Sequence, residues 1–361
     1  MAINLFANPV TIDEAYTLVK TLGTSNTFLF VGEPGIGKSS LHSRLKSDID
    51  FPADKYDHIY VDFSNTDLGD LFIRAPNRET GELEFYPSSI FKMKSRKPKI
   101  IMLDEIGKCD KMMQKMAMRL VLDHVLGDEE LPDGSMVFAT TNNFSDGVGD
   151  AILAHGGNRV TIINVSKSNE KMWNTWATDN GISAVIRAWV AMNPRCLASY
   201  LDGGQEDNPF IFKPGNRILS FVSPRSLAKA DPIVRKRDLI GSKLTHSSLA
   251  GTIGVAAAES MAAFLALEKE LVSVKQILAD PDNVEIPERP AALFMTMFNA
   301  IDVIETQDDL SKFMRFVNRV RSSEVQAVFF TMLLQSKRTS RIARLNSQVS
   351  EWAKSNYELL I

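Results

Sequence analysis

Eight consecutive residues near the start of the chain have the spacing of a phosphate-binding loop. The pattern is G-x-x-x-x-G-K-[ST], and Gly32, Gly37, Lys38 and Ser39 fill its fixed positions. Glycine allows backbone conformations that a Cβ resists, so successive N–H groups can turn inward as a nest for phosphate oxygens. The lysine would bring a charge to the β- and γ-phosphates, and the serine hydroxyl could ligate Mg²⁺. The residues predicted to contact a nucleotide are Gly32, Glu33, Pro34, Gly35, Ile36, Gly37, Lys38, Ser39 and Ser40.

Two neighbouring acids, Asp104 and Glu105, follow a run of four apolar residues, Ile100–Leu103. Such a run is typical of a strand buried on both faces, and parallel sheets bind their ligands beyond the carboxyl ends of the strands. Asp104 is therefore a candidate for holding Mg²⁺, and Glu105 for orienting an attacking water. The alternative is two exposed acids that simply end a strand. The phosphate loop in the same chain favours the chemical interpretation.

Five apolar runs alternate with helical patterns, which is typical of a parallel sheet with helices on both faces. The first run leads into the phosphate loop, and a helix is predicted from Ser39 to about Lys46. The fold class is therefore α/β, a P-loop three-layer αβα domain with five parallel strands, followed by an all-helical region. The predicted strands are Thr27–Val31, His58–Asp62, Ile100–Leu103, Met136–Thr140 and Val160–Val165.

Two further elements are predicted in the first part of the chain. A helix over 11–22 begins with a capping box, in which Thr11 and Glu14 satisfy each other's backbone N–H groups. The stretch 67–86 has alternating apolar and acidic residues around Gly81, which indicates a small exposed hairpin inserted between strands.

The pattern also predicts helices over 110–126, closed by Gly127, and around 151–155. Basic residues dominate 92–99, a segment that could touch nucleic acid but is interpreted as a solvated connector. His124 is expected at the surface or at an interface.

Strand signals stop at about Ser166, and the remainder of the chain is predicted to be helical. Gly181 is expected to break the first long helix, and Ser223 is expected to cap a helix that begins at Pro224. Predicted helices cover 169–191, 223 onward, 253–267, 291–304, 306 onward and 323–334. Three prolines lie in the linker 280–290. The predicted domains are 1–165 for nucleotide binding, 166–279 for a helical lid and 280–361 for a C-terminal helical extension.

Composition excludes several classes of protein. The net charge is -3, so no overall field recruits nucleic acid or an acidic membrane surface. Two cysteines in 361 residues suit a reducing compartment rather than a disulfide scaffold. The start of the chain lacks the pattern of a signal peptide, and no apolar run approaches the roughly 20 residues that span a bilayer. The expected location is the cytoplasm.

The motifs, taken in order, resemble those of the AAA+ ATPases, and within them the MoxR-like branch. The stretch 66–71 is similar to the D-P-x-D-L segment of that branch, and 126–134 to its turn before the fourth strand. Ser223-Pro224-Arg225 resembles the lid motif. The segments 254–267 and 277–281 look like the helical tail of small bacterial and bacteriophage members, so a phage protein would work in the host cytoplasm.

The resemblance implies roles for three more residues: Asn142 as the sensor at the end of the fourth strand, Arg159 as an arginine finger acting on a neighbouring subunit, and Arg225 as the lid arginine. It also implies an ATPase that uses ATP and Mg²⁺, a homo-oligomer in the form of a hexameric ring or spiral, and remodelling of a client, often with a von Willebrand A-type partner. The chain departs from the family at Asn143, where Pro or Arg is usual, and at Val160, where Phe is more common.

Other interpretations stay open at the level of sequence. Asn142 could be a turn residue, Arg159 a surface charge, and Arg225 the partner of a helix-surface acid. ATP binding without turnover could hold a scaffold or filament together. A DNA-acting motor or loader is a third possibility, supported by the basic segments 235–237 and 337–344, which are more often solvated helix faces.

Overall fold

The structure is a computed structural model, and it describes residues 8–109, 111–143, 159–215, 219–267, 271–356 and 358. The chain divides into two compact units, Met1–Lys167 and Ser168–Ile361. Each unit has its own hydrophobic core.

A five-stranded sheet forms the centre of the first unit, in the order β2-β5-β8-β1-β9. All of its neighbouring strands run parallel, which confirms the predicted fold class and the five predicted strands. The sheet strands are β1 (Phe28–Val31), β2 (Asp57–Asp62), β5 (Lys99–Asp104), β8 (Met136–Thr141) and β9 (Thr161–Asn164). Four shorter strands lie outside this sheet: β3 (Phe72–Pro76), β4 (Leu83–Pro87), β6 (Val125–Leu126) and β7 (Glu129–Glu130).

Alternate residues of the strands pack into separate hydrophobic cores on the two faces of the sheet. On β5, Ile100 and Met102 belong to the cluster that includes α1 and α2, while Ile101 and Leu103 belong to the cluster that includes α4. Because successive side chains of a strand point to opposite faces, one buried strand serves both layers. The helices of this unit are α1 (Ile12–Leu22), α2 (Ser40–Lys46), α3 (Leu68–Leu71) and α4 (Lys111–Asp123).

Two local predictions in this unit are confirmed. Thr11 caps α1, and Glu14 closes the capping box by accepting from the Thr11 backbone N–H. The insert folds as an antiparallel hairpin of β3 and β4, and Gly81 adopts a φ of 72° in its turn. Only glycine adopts that conformation at little cost.

The end of α4 differs from its prediction. The helix stops at Asp123 rather than at residue 126, because His124 takes a left-handed φ of 54°. β6 and β7 then pair across a turn at Gly127, whose φ is 65°. A glycine after an apolar helix can end the helix or form a hairpin turn. Gly127 was predicted to end the helix, but it forms the turn of a hairpin.

Lys99 was expected to be solvated and is buried instead, and His124, expected at the surface or at an interface, contacts a residue of its own unit. Lys99, in the segment expected to be a solvated connector, is the first residue of β5 and is 0% exposed. His124 is partly buried, and its Nε2 lies 3.3 Å from Thr27 Oγ1. Burial lowers the pKa of His124. The helix predicted around 151–155 lies outside the described residues.

All named elements in the described part of the second unit are helices. Gly181, with a φ of 69°, separates the first two, and Ser223 caps the helix that begins at Pro224, as predicted. The structure adds Ser226, which completes a capping box with Ser223. The hydrophobic core extends from Trp173 to Val349 and so crosses the predicted domain boundary at residue 280. The division there stays a prediction.

The helices of the second unit are α5 (Glu170–Asp179), α6 (Ala184–Met192), α7 (Pro224–Arg235), α8 (Arg237–Ile253), α9 (Val255–Ala266), α10 (Val274–Ala279), α11 (Pro290–Val303), α12 (Gln307–Val317), α13 (Ser323–Gln335), α14 (Ser340–Arg344) and α15 (Ser347–Ser355). No helix in the described parts of the two units is long and apolar enough to cross a membrane.

Candidate nucleotide-binding site

The phosphate-type loop connects β1 to α2 at the carboxyl end of the sheet. Gly35 and Gly37 adopt φ values of 80° and 109°, a region that favours glycine. At Gly32 the limit is space, because an added Cβ would lie 2.7 Å from the Val165 carbonyl oxygen and 2.7 Å from Ile36 Cδ1. The backbone geometry therefore explains why the glycines of the motif are needed.

Lys38 is buried under this loop, with 4% of its surface exposed. Its ammonium group donates to the backbone carbonyls of Gly32 and Glu33, at 2.8 and 2.9 Å, and to Asn142 Oδ1 at 3.1 Å. A buried charge is tolerated when it is hydrogen-bonded in this way. The charge is thus held inside the loop and beside a residue from a different strand end.

Asn142 directly follows β8, which lies between β1 and β5 in the sheet. Its side chain is buried, and its contact with Lys38 brings together two residues that are 104 positions apart in sequence. The Gly32 backbone N–H also donates to the Thr141 carbonyl, at 3.3 Å. The end of β8 is therefore joined to the loop by both backbone and side-chain contacts.

Asp104 ends β5 and is 3% exposed. The Tyr60 hydroxyl donates to its Oδ2 at 2.6 Å, and the Thr140 hydroxyl donates to its Oδ1. Burial, and then the hydrogen bond to Asp104, raise the pKa of Tyr60 above its ordinary value, so the phenol stays protonated and donates at neutral pH. Two hydroxyl groups therefore fix the orientation of this carboxylate.

Tyr60 is a site residue that the sequence analysis missed. The alternation of His58, Tyr60 and Asp62 indicates that they share one face of β2. That the same face carries Asp104 follows only from the register between β2 and β5, in which Asp62 is opposite Asp104. The sequence contained the alternation, but it did not contain the register.

Glu105 has a strained backbone, with a left-handed φ of 57°. A non-glycine residue in this region costs about 1–3 kcal/mol and is often found at a functional site. Lys108 Nζ lies 3.1 Å from Glu105 Oε2, although that oxygen accepts no hydrogen bond from any described residue. The carboxylate therefore keeps a lone pair for a further donor.

The chemistry of the donors at the end of β5 fits Mg²⁺. The Asp104 carboxylate has one hydroxyl donor on each oxygen and lone pairs left for a metal, and Ser39 offers a hydroxyl oxygen at the start of α2. The described residues contain no group of three or more His, Cys, Asp or Glu that could hold a metal. An Mg²⁺ ion bound with a nucleotide needs only one or two protein ligands, because phosphates and waters supply the others.

The remaining loop residues are structural or lie at its rim. Glu33 and Ile36 are buried, and the Ser40 hydroxyl donates to the Gly37 carbonyl at 2.7 Å. Pro34 is partly buried. These contacts stabilise the loop from within.

Two predicted site residues are not brought to the loop by the structure of the first unit. The side chain of Arg159 is 58% exposed, and its Nη2 lies 2.6 Å from Asp123 Oδ1. Arg225 is the second residue of α7 and belongs to the second unit. Their roles stay predictions.

A search of curated proteins found no match. Among solved structures, the chain is similar to Hsp104 in a closed state with ATPγS and FITC casein, at 16% identity and a TM-score of 0.34, over 47% of this chain. The matched part spans only 34% of the Hsp104 chain.

Two other solved structures match over more of this chain. A mutant of RuvB from Thermotoga maritima matches at 12% identity and a TM-score of 0.36, over 76% of this chain and 79% of that chain. NtrX from Brucella abortus matches at 13% identity and a TM-score of 0.31, over 97% and 69%. Likenesses of this strength do not bear on what this chain does.

The family comparison covers the sheet and the site. Residues 28–164 match the model described as the ATPase family associated with various cellular activities (AAA). This range begins with β1 and ends with β9, so it contains every strand of the five-stranded sheet and the loop between β1 and α2. The likeness to the AAA family is therefore to the part of the chain that holds the sheet and the candidate site.

Proposed function

We propose that this protein is an Mg²⁺-dependent ATPase of the AAA+ class, which works as a homo-oligomer and remodels a protein partner. The observation that carries the proposal is the hydrogen bond of 3.1 Å between Lys38 and Asn142. It lies at the carboxyl end of the sheet, where Asp104 and Glu105 also lie. A cation, a polar sensor and two acids around one glycine loop suit the hydrolysis of a nucleoside triphosphate.

Each residue has a distinct task in this proposal. Lys38 can transfer its hydrogen bonds from the loop carbonyls to phosphate oxygens. Ser39 and Asp104 would hold Mg²⁺, which supplies charge neutralisation on the phosphates. Glu105, whose Oε2 lies 3.1 Å from Lys108 Nζ but accepts no hydrogen bond from a described residue, would accept a hydrogen bond from the attacking water and orient it.

The exposure of Arg159 is what supports a role between subunits. A finger arginine acts on the nucleotide of a neighbouring copy, and 58% of this side chain is accessible to such a neighbour. Arginine fingers are worth about 10³–10⁵ in rate. Turnover should therefore rise steeply with protein concentration, as the oligomer forms.

The first test compares ATP binding and ATP hydrolysis in the wild type and in Glu105→Gln. We expect the variant to bind ATP with unchanged affinity and to hydrolyse it about 10²–10⁴-fold more slowly, because the water loses its orienting base. Loss of binding in this variant would show that Glu105 has another task. A wild type that oligomerises with ATP yet never hydrolyses it would instead indicate the scaffold function.

The second test mixes two inactive variants, Arg159→Ala and Glu105→Gln. Where an Arg159→Ala subunit provides the loop and a Glu105→Gln subunit provides the finger, the shared site has both wild-type residues. We expect such mixtures to recover part of the ATPase activity that each variant lacks alone. A mixture as inactive as its components would contradict a finger acting in trans.

Arg195→Ala is the matched control for this experiment. Arg195 is also an exposed arginine, 2.8 Å from an aspartate, but it lies in the second unit, and we assign it no role in the site. This variant should keep full activity.

We further propose that the protein belongs to the MoxR-like branch, assembles as a hexameric ring or spiral, and works with a von Willebrand A-type or other client, with Arg225 as its lid arginine.

A further inference from the structure

Tyr60 occupies an unusual position for a residue of an edge strand. It lies on β2, at one edge of the five-stranded sheet, and is 43% exposed. Its ring packs against His42 of α2, with 5.6 Å between the ring centroids. The side chain thus lies between the edge of the sheet and the helix that follows the phosphate loop.

The hydroxyl of Tyr60 contacts a protein group that would hold Mg²⁺. It donates to Asp104 Oδ2 at 2.6 Å. This distance is in the range of charge-assisted O–H···O⁻ hydrogen bonds, which are about twice as strong as neutral ones. With the Thr140 hydroxyl on Oδ1, the carboxylate has one donor on each oxygen and lone pairs left for a metal.

A purely structural role explains the ring but does not explain the hydroxyl. Aromatic residues are common in strands, and a phenylalanine would pack against His42 equally well. What tyrosine adds is one donor, placed on a predicted metal ligand. Ligands of bound metals are themselves commonly oriented by such hydrogen bonds, and loss of the partner lowers metal affinity by about 10–100-fold.

We propose that Tyr60 is a positioning residue for the magnesium site, and that its hydroxyl holds the Asp104 carboxylate in the orientation that Mg²⁺ requires. This inference rests on the proposed function, because it names the residue that prepares the metal site of the same ATPase. Tyr60 acts through Asp104 and does not itself bind the nucleotide.

The test measures the affinity of a fluorescent, slowly hydrolysed ATP analogue for the full chain, once with Mg²⁺ and once with EDTA. The dissociation constant in EDTA divided by the dissociation constant with Mg²⁺ reports how much the metal strengthens binding. Tyr60→Phe should lower that ratio by about tenfold and leave the affinity in EDTA unchanged. An unchanged or increased ratio would overturn the inference.

Tyr16→Phe is the matched control. The Tyr16 hydroxyl also donates to a carboxylate of the first unit, that of Asp48, which we place in no site. This variant should keep the wild-type ratio, which separates the position of the hydroxyl from the general effect of losing one.

The outcomes also separate the inference from the proposed function. If the wild type binds the analogue in neither solution, the proposed function fails. If the wild type shows a large Mg²⁺ effect that Tyr60→Phe retains, only the role of Tyr60 fails. Affinity in EDTA that falls together with affinity in Mg²⁺ leaves the ratio unchanged and therefore also counts against the inference.

Discussion

The two ends of the paired strands β2 and β5 hold acids in opposite situations. At the first end, Asp57 is opposite Lys99, whose Nζ lies 3.1 Å from Asp57 Oδ2. At the other end, Asp104 receives hydrogen bonds from Tyr60 and Thr140 and has no ion pair with any described residue. The same two strands therefore bury one acid with a cation and one acid without.

The difference shows how a structural charge can be told from a functional one. Burial raises the pKa of Asp57, but hydrogen bonds from Ser95 and Lys99 and the nearby lysine charges outweigh it and hold that pKa below its ordinary value. Asp57 is neutralised within the chain. Asp104 is oriented by hydroxyls that carry no charge, so its own charge stays available for a cation from outside the chain. The same substitution at the two ends should therefore have opposite effects.

The largest effect is expected for Asp57→Asn. It leaves the ammonium of Lys99, which is 0% exposed, without its carboxylate, and breaking a buried pair costs about 3 kcal/mol or more. Urea unfolding measures the loss, and the folded fraction should bind nucleotide normally. The double substitution Asp57→Leu/Lys99→Met is the control, and it should recover most of the stability. A loss below about 1 kcal/mol in Asp57→Asn would mean that the pair is not structural.

Asp104→Asn should give the reverse result. An amide retains an oxygen for one of the two hydroxyls and removes an uncompensated charge, so the free energy of unfolding should change by less than about 1 kcal/mol. The Mg²⁺-dependent affinity for the ATP analogue should fall about 10–100-fold, which corresponds to about 1.4–2.7 kcal/mol. Calorimetry with and without Mg²⁺ measures this. A variant that is strongly destabilised and binds Mg²⁺-nucleotide normally would remove the contrast between the two ends.

The difference between the two ends also marks the limit of prediction from the sequence. The strands, the loop and the acid pair were predicted because each depends on a local pattern: an apolar run, glycine spacing, or two acids after a strand. Tyr60 and Lys99 were missed because their surroundings depend on which strand lies beside β2 and in which register. A lysine in a basic segment is usually solvated, and nothing local indicates the aspartate 42 residues earlier that covers it.

The same reasoning applies to the turn after α4. His124 and Gly127 both adopt left-handed conformations, and together they convert a predicted helix end into a short hairpin. A glycine signals a reversal of the chain, but it does not say at which residue the helix stops. Tertiary contacts determine that, among them the contact of His124 with Thr27.

A smaller effect is expected at His42, which lies between the two ends and contacts the rings of both His58 and Tyr60. Burial and the neighbouring charges lower its pKa to about 4. On acidification the unfolded chain binds a proton at His42 before the folded chain does, because the pKa in the unfolded chain is the higher of the two. The neutral, buried ring of His42 therefore contributes fully to stability above pH 6.5, and this contribution is lost as the pH falls towards 4. Because water reaches part of the ring, we expect a loss of about 1–2 kcal/mol.

Urea unfolding of the wild type and of His42→Phe between pH 7 and pH 4.5 measures this contribution. The variant keeps an aromatic ring but cannot be protonated, so its stability should fall less than that of the wild type over this range. If the free energy of unfolding falls equally with pH in the two proteins, the pKa of His42 is not lowered in the folded state.

The smallest effect is expected at Glu105, where the backbone rather than the charge is decisive. Glycine adopts a φ of 57° with little strain, whereas alanine retains the strain of the wild type. The free energy of unfolding of Glu105→Gly should therefore exceed that of Glu105→Ala by about 1 kcal/mol, although a glycine usually makes a protein less stable than an alanine does. Both variants should lose ATP hydrolysis. If alanine is instead the more stable residue, the backbone at Glu105 is not strained, and the wild type does not sacrifice stability to aim this carboxylate.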